Sequence, residues 1–336
     1  MTHHAPSIVV IIPYYQREHG LLRRAVTSVL DRGAHLPIRV VVVDDESPLP
    51  ARDDIGDLVE ASNGAVEILQ QANAGPAAAR NTALDYVCTD APYVTFLDSD
   101  DQWIGPFLED AYFALAQGYD LFIGNARRGA RSGTRFEWSE DSASNIYPEH
   151  HVPIDRALEI YEFCGDFFDL MVRRTNLIGS GAIAYRMDRF SSLRFHSGLF
   201  QGEDRLFKLV LAKDLNAVAF SPKIYVEEGE GVNIFDKAEW GTPESLRLTS
   251  NYVRLSRMLL EELRLTQEQR RYLAGRQGQS RMAFAATLLH LILHKKEVNW
   301  LLVKETLASD PMAIRNIVFK AVQLAWRRFG SKGGSL

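Results

Sequence analysis

A short acidic segment after an apolar run is the clearest chemical signal in this chain. Residues 94–97 read Val-Thr-Phe-Leu, and residues 98–101 read Asp-Ser-Asp-Asp. We expect a buried strand whose tip carries Asp98 and Asp100 on one face, because side chains two apart on a strand share a face. Their carboxylate oxygens suit Mg²⁺ or Mn²⁺, which commonly join a protein to a diphosphate. A solvated acidic loop, or the N-cap of a helix over 105–117, is the alternative.

The elements around this segment predict a parallel sheet with helices on its faces. Strands are predicted at 8–12, 40–43, 66–70 and 93–97, with helices at 21–30 and 76–87. The strands are apolar throughout, which indicates that helices cover both faces of the sheet. Ligands bind at the carboxyl ends of such strands, where Pro13, Asp44 and Asp45 join the acidic segment. This convergence favours a binding site over a solvated loop.

Composition and charge limit the class of protein. With 46% hydrophobic and 24% charged residues, the chain is typical of a folded soluble protein. Its net charge of −5 argues against general nucleic-acid binding. Cys88 and Cys164 provide neither a disulfide framework nor metal-binding spacing, so we expect a cytoplasmic setting. No apolar stretch is long enough for export or for spanning a membrane.

Length and pattern predict two regions in the 336 residues. We place an α/β domain over 1–242, with halves at about 1–124 and 125–242, and a helical region over 243–336. The helices of that second region are predicted at 246–263, 267–294, 298–307 and 311–329. Thr266 with Gln269, and Asp310 before Pro311, are typical of helix starts.

The last predicted helix combines cations with apolar and aromatic residues. The cations are Arg315, Lys320, Arg327, Arg328 and Lys332, and Phe319, Trp326 and Phe329 lie among them. Such a helix can lie on an anionic membrane surface. The alternative is a terminal helix packed on the protein with its cations solvated, and the sequence leaves both open.

Five motifs occur in order along the chain. Residues 9–15 read Val-Val-Ile-Ile-Pro-Tyr-Tyr, 41–47 read Val-Val-Val-Asp-Asp-Glu-Ser, 73–81 contain Asn-Ala-Gly-Pro and Ala-Arg-Asn, 96–101 read Phe-Leu-Asp-Ser-Asp-Asp, and 201–207 read Gln-Gly-Glu-Asp-Arg-Leu-Phe. Together they resemble family 2 glycosyltransferases with the GT-A fold, a nucleotide-sugar-binding sheet flanked by helices, over roughly 7–235. Segments 13–24 and 229–234 also resemble glucosyltransferases of succinoglycan-type bacterial exopolysaccharide synthesis.

The resemblance implies a donor site at the sheet edge. It assigns the nucleotide-sugar donor to Pro13, Tyr15, Asp45, Arg80, Asp98 and Ser99. A carboxylate can accept the imide N–H of uracil, an aromatic ring can stack on the base, and an arginine can meet base carbonyls or phosphates. A turn in which Asp44 or Asp45 bonds to Ser47 is the structural alternative.

The resemblance also implies a metal site at the acidic segment. It assigns Asp100, with Asp98, to a divalent cation, Mn²⁺ or Mg²⁺, that neutralises the departing nucleoside diphosphate. Asp101 is left to cap the following helix or to bind hydroxyls of the donor sugar.

Glu203 and Asp204 are the predicted catalytic pair. Inverting sugar transfer needs a carboxylate that deprotonates the acceptor hydroxyl as it attacks the anomeric carbon. Asp204 matches the family's base, and Glu203 would contact the acceptor or orient that base. Both residues also suit the first turn of a helix over 203–212, where acids interact favourably with the helix dipole.

These expectations combine into one function. The chain is expected to be an inverting, metal-dependent glycosyltransferase that moves a hexose from UDP-glucose or another UDP-hexose to a saccharide acceptor, with a polyprenyl-diphosphate-linked acceptor favoured, in bacterial exopolysaccharide or surface polysaccharide synthesis. A sugar-nucleotidyltransferase and a non-catalytic saccharide-binding protein are the alternatives. The first should carry a Gly-rich cationic loop after the first strand, and residues 13–20 contain none. The oligomeric state is left open, and contact with the cytoplasmic face of the inner membrane rests on the basic helix.

Overall fold

A computed structural model of the chain describes residues 8–33, 35–87, 91–129, 131–139, 144–174, 177–199, 201–229 and 239–330, with side chains of the last range described to residue 323. These residues form two compact units. The first unit holds the described residues up to 197 and those from 203 to 229. The second holds the described residues of 198–202 and those from 239 onward.

The first unit is built on a sheet to which the described residues contribute ten strands. The strands are β1 Ile8–Tyr14, β2 Ile38–Asp44, β3 Val66–Gln70, β4 Tyr93–Phe96, β5 Gln102–Trp103, β6 Leu121–Arg128, β7 Val152–Asp155, β8 Ile160–Glu162, β9 Ile183–Arg186 and β10 Val218–Glu228. Their order is β3-β2-β1-β4-β9-β6-β10-β8-β7, and β5 pairs with β10.

The helices of this unit connect the strands. They are α1 Leu21–Arg32, α2 Ala51–Ala61, α3 Pro76–Val87, α4 Phe107–Ala116, α5 Phe167–Arg173 and α6 Glu203–Ala212. The strand and helix predicted at 66–70 and 76–87 have these same bounds as β3 and α3, and the helix expected over 203–212 is α6.

The first half of the sheet is parallel, as its uniformly apolar strands predict. β1 pairs in parallel with β2 and β4, and β2 pairs in parallel with β3. All seven residues of β1 are buried, Pro13 included. Proline lacks the N–H that a sheet ladder needs, but the pairing of β1 with β4 ends at Ile11 with Phe96, before Pro13.

The second half of the sheet is mixed. β9 lies between β4 and β6 and runs antiparallel to both, while β6 and β10 are parallel. The expected GT-A architecture, a largely parallel sheet with flanking helices, is confirmed. The sequence did not predict the insertion of β9, because that pairing joins residues about 60 to 90 positions apart.

The acidic segment is a turn and not the tip of a strand. β4 ends at Phe96, and the backbone N–H of Asp101 donates to the carbonyl oxygen of Asp98 at 3.0 Å. This four-residue turn, and not strand alternation, sets the positions of the residues from Asp98 to Asp101. The capping prediction for Asp101 is wrong, because α4 begins at Phe107 with Pro106 before it and no side-chain cap.

The second unit is helical, as predicted. Its helices are α7 Pro243–Glu262, α8 Gln267–Leu293, α9 Trp300–Ser309 and α10 Ala313–Gly330. The capping box expected at Thr266 is present, since Thr266 and Gln269 bond each other's backbone N–H groups. The apolar core of this unit is formed by Leu246, Val253, Phe284, Leu288, Leu291, Val303 and Ala313.

The helix start expected at Asp310 differs in detail. α10 begins at Ala313, and the carboxylate of Asp310 binds the guanidinium of Arg281 at 2.7 and 2.8 Å and the side-chain amide of Gln277 at 3.1 Å. Asp310 therefore ties the start of α10 to α8. Among the described residues, no helix is both long and apolar enough to cross a membrane.

Candidate active site

Arg80 joins the acidic turn to the predicted catalytic pair. It projects from α3, and one guanidinium nitrogen donates to the carboxylate of Asp98 at 2.6 Å. A second nitrogen donates to the carboxylate of Glu203 at 3.2 Å. The three residues come from α3, the turn after β4 and the start of α6. The structure therefore brings together three side chains that the sequence motifs singled out separately.

The surroundings of Arg80 keep its charge. The side chain is 4% exposed, and the guanidinium carbon lies 5.1 Å from the centre of the Phe195 ring. Burial alone would lower the pKa of Arg80, but the charges of Asp98 and Glu203 outweigh burial and raise it. The Nε–H of Arg80 is buried without a hydrogen-bond partner among the described residues. A buried donor of this kind suits an anionic ligand.

The acidic turn makes contacts on both sides. The Ser99 hydroxyl accepts from the side-chain amide of Gln16 at 3.0 Å, which links the turn to the residues after β1. The carbonyl oxygen of Asp100 accepts from Arg24 at 2.8 Å. Asp101 is buried, and its carboxylate accepts the backbone N–H of Gly229 at 2.8 Å. Asp101 thus holds the end of β10 against the turn.

The electrostatics of the turn suit a cation. Burial first, and then the charges of Asp98 and Asp100, raise the pKa of Asp101 well above its usual value. Within the described ranges, no group of three or more His, Cys, Asp or Glu side chains is arranged to hold a metal ion. Mg²⁺-type sites commonly use one or two carboxylates and take their other ligands from substrate phosphates and water. Asp98 and Asp100 fit that pattern.

Asp204 is paired with a cation on its own helix. Its carboxylate accepts from the ammonium group of Lys208 at 2.8 Å, one helical turn further along α6. The same ammonium group donates to the carbonyl oxygen of Ile178 at 2.8 Å. The Lys208 side chain is 6% exposed, whereas the Asp204 side chain is 35% exposed. The ion pair therefore has a buried cation and an accessible carboxylate.

The two acids of the pair have opposite pKa shifts. Burial alone would raise the pKa of Asp204, but the charge and hydrogen bond of Lys208 and the charge of Arg80 lower it to about 2. Burial and the neighbouring Asp204 raise the pKa of Glu203, although Arg80 opposes them. Asp204 is therefore the acid of the pair that is firmly ionised at neutral pH, as a group that accepts a proton must be.

Asp44 and Asp45 have different environments. Asp44 accepts the backbone N–H groups of Ser47 and Ala51, both at 2.8 Å, so the turn chemistry expected from the sequence is present at Asp44. Asp45 is 3% exposed, and its carboxylate accepts from the Gln71 side chain and from the backbone N–H groups of Ala74 and Gly75 at 2.7 to 2.8 Å. Asp45 thus holds the Asn-Ala-Gly motif against β2.

The other predicted donor residues lie at the end of β1. Pro13 is buried in the strand, and Tyr15 follows it in a half-buried position. Two residues at the site were not predicted. Gln16 is buried and bonds to Ser99 and Ser47. The sequence does carry a signal for Lys208, because it lies four residues after Asp204 on a predicted helix, the spacing at which an acid and a base meet.

Comparison with known proteins agrees with this fold and with the order of the motifs. The sequence model of the family Glycosyl transferase family 2 matches residues 9–177. The chain is also 30% identical over 248 residues to the succinoglycan biosynthesis protein ExoW of Rhizobium meliloti (strain 1021), covering 73% of this chain and 76% of that protein. The chain belongs to glycosyl transferase family 2, and it is a glycosyltransferase.

Solved structures share the fold at low sequence identity. S. aureus TarS 1-349 in complex with UDP-GlcNAc is 19% identical with a TM-score of 0.51, over 85% of this chain and 72% of that chain. The mannosyltransferase PcManGT from Pyrobaculum calidifontis, in complex with GDP-Man and Mn²⁺, is 15% identical with a TM-score of 0.54, over 96% and 88% of the two chains. These likenesses support the GT-A fold.

Proposed function

We propose that the chain is an inverting, divalent-metal-dependent glycosyltransferase that moves a hexose to a saccharide acceptor. The donor we propose is UDP-glucose. The observation that carries the proposal is the bridge from Asp98 through Arg80 to Glu203, next to the ionised Asp204. The bridge joins Asp98, which we place at the cation of the donor diphosphate, to Glu203, which we place at the acceptor hydroxyl. The names of ExoW and of the TarS complex support a polysaccharide product and a UDP-linked donor.

In this proposal the donor lies along the carboxyl edge of β1, β2 and β4. Tyr15 and Pro13 line the base, and Asp45 either accepts from the base directly or shapes the loop at 73–75 that does. The guanidinium of Arg80, which binds Asp98, supplies positive charge next to the acidic turn, where we place the anionic part of the donor. Asp100 and Asp98 would hold Mn²⁺ or Mg²⁺, whose positive charge would stabilise the departing nucleoside diphosphate.

Asp204 acts as the base in this proposal. It takes the proton of the acceptor hydroxyl as that oxygen bonds to the anomeric carbon and the bond from this carbon to the phosphate oxygen breaks. Attack opposite the leaving group inverts the anomeric configuration. Lys208 fixes one carboxylate oxygen of Asp204, and Glu203 orients the acceptor while its charge is balanced by Arg80.

We assign the transfer reaction to residues 1–242, because the residues named above all lie there, and we place the reaction in the cytoplasm, where nucleotide sugars are made. The acceptor we propose is a saccharide carried on a polyprenyl diphosphate. A transferase with such an acceptor would work at the inner face of the cytoplasmic membrane in the synthesis of a surface polysaccharide.

The test is release of UDP from UDP-glucose, with added saccharide acceptors and Mn²⁺, followed by determination of the anomeric configuration of the product. We expect a chelator to abolish release, and Asp204→Asn to slow transfer by about 10²- to 10⁴-fold while UDP still binds. Asp214→Asn is the matched control, since that carboxylate is 66% exposed and lies just after α6. Near-normal transfer by Asp204→Asn with normal UDP binding would show that Asp204 is not the base.

A further inference from the structure

α10 exposes an apolar face to solvent. Ile314, Val318, Phe319 and Val322 are 48%, 58%, 60% and 53% exposed. Residues three and four apart on a helix are neighbours, so these four side chains form one continuous stripe, which we call the outer face of α10. The opposite side of the helix packs on the core of the second unit through Ala313 and Ile317. α10 is therefore apolar on both sides, although only one side is covered.

All the charged residues in the segment that contains α10 are positive. Residues 311–336 contain Arg315, Lys320, Arg327, Arg328 and Lys332 and no aspartate or glutamate, in a chain whose net charge is −5. Arg315 is exposed and lies within the outer face, between Ile314 and Phe319. Lys320 lies on the other side of α10 in a half-buried position, where its ammonium group donates to the side chain of Gln323. A helix with exposed large apolar side chains and a cation among them can lie at the interface of an anionic bilayer.

Charge also distinguishes between two partners that could cover the outer face of α10, a second copy of the chain and an anionic lipid surface. In a twofold-symmetric dimer the same patch meets itself, so the outer faces of two copies would bury two Arg315 cations in one apolar interface. An anionic lipid surface instead gains attraction from each cation.

We propose that the outer face of α10 binds the surface of a phospholipid bilayer that contains anionic lipids. The apolar side chains of the stripe enter the region between head groups and acyl chains, and Arg315 binds lipid phosphates. The proposal does not depend on the chemistry of sugar transfer, because it rests on side chains of the second unit alone. Such binding would hold the protein at a membrane surface through α10.

The test is flotation of the full-length protein with vesicles of phosphatidylcholine alone and of phosphatidylcholine with phosphatidylglycerol. We expect binding to the mixed vesicles, weakened by salt, and weaker or no binding to phosphatidylcholine alone. Arg315→Gln should weaken binding about fivefold, and the double variant Val318→Gln with Phe319→Gln at least about tenfold. Val152→Gln is the matched control, because Val152 is a 54% exposed apolar residue in β7, and its binding should equal that of the unchanged protein.

Folding of each variant is checked by thermal unfolding, and both substituted side chains in the double variant point to solvent, so the melting temperature should not fall. The oligomeric state, measured by sedimentation, tests whether a second copy of the chain covers the outer face instead. Absence of binding to the mixed vesicles overturns the proposal. So does equal vesicle binding by the double variant and the unchanged protein. A dimer that the double variant converts to monomers would assign the face to a second copy of the chain and also overturn it.

Discussion

Removal of the positive charge of Lys208 should change the pH range in which the enzyme works. The ammonium group lies 2.8 Å from the carboxylate of Asp204, and it is the largest of the influences that lower the pKa of that acid. In Lys208→Met the ammonium group is lost, while the burial that raises the pKa of Asp204 stays. We therefore expect Asp204 to hold its proton to higher pH than in the unchanged protein.

The size of the effect follows from the geometry. The pKa of Asp204 is lowered from its ordinary value of 3.8 to about 2. An opposite charge within hydrogen-bonding range typically lowers a carboxyl pKa by about 1 to 3 units. Loss of Lys208 should therefore move the acidic limb of the pH profile upward by about 1 to 3 pH units. Arg80 is a second cation that acts on Asp204, so the shift should be smaller than if both cations were lost.

The assay is kcat/KM for UDP release as a function of pH, with donor binding measured separately. Lys208→Arg keeps the charge, so its acidic limb should coincide with that of the unchanged enzyme. Lys208→Met also loses the bond to Ile178, so thermal unfolding must show that the variant is folded at each pH. If folded Lys208→Met keeps the acidic limb of the unchanged enzyme, then Lys208 does not set the protonation of the base, and the reasoning fails.

Three further outcomes are expected. Arg80→Met should lower the free energy of unfolding in urea by about 3 to 5 kcal/mol, because it leaves the largely buried carboxylate of Glu203 without its cation. Arg194 pairs at the surface with Asp85, which is 68% exposed, so Arg194→Met should cost at most about 1 kcal/mol. Gly229→Ala would place a Cβ 2.1 Å from the backbone of the acidic turn and should raise the donor KM, whereas Gly275→Ala meets no atom within 4 Å and should be tolerated. The lowered pKa of Asp204 stabilises the fold above its ordinary value of 3.8, and this stabilisation should disappear as pH falls to about 2, so the unfolding free energy of Asp204→Asn should depend less on pH in that window.

Elements with strong local signals could be predicted from the sequence. α3 begins at Pro76, a residue whose fixed backbone angle suits the first turn of a helix. α8 begins after Thr266, where the capping box with Gln269 is present as expected. β3 is a short run that follows the turn residues Asn63 and Gly64 and precedes Gln71, and its bounds were also predicted. In each case, residues within a few positions of one another determine the boundary.

Features that depend on distant residues could not be predicted. The bridge from Arg80 to Glu203 joins residues 123 positions apart. The position of β9 between β4 and β6 also depends on the whole sheet. The acidic turn shows a different kind of error. The sequence predicts a strand to Leu97 with Asp98 and Asp100 on one face of its tip, but the ladder ends at Phe96 and a backbone hydrogen bond closes a turn.

The contacts of the acids separate those that support the fold from those that can meet a substrate. Asp44, Asp45 and Asp101 are buried, and their carboxylates accept backbone N–H groups of other segments, so these three would be needed for the fold even in a protein without activity. Asp98 and Asp204 differ, because each is bound to a buried cation while its own side chain remains 37% or 35% exposed. A carboxylate held in place on one side and open on the other is suited to act on a ligand. Asp98, one of the two acids to which we give the metal, and Asp204, to which we give the proton, are therefore acids that packing leaves accessible.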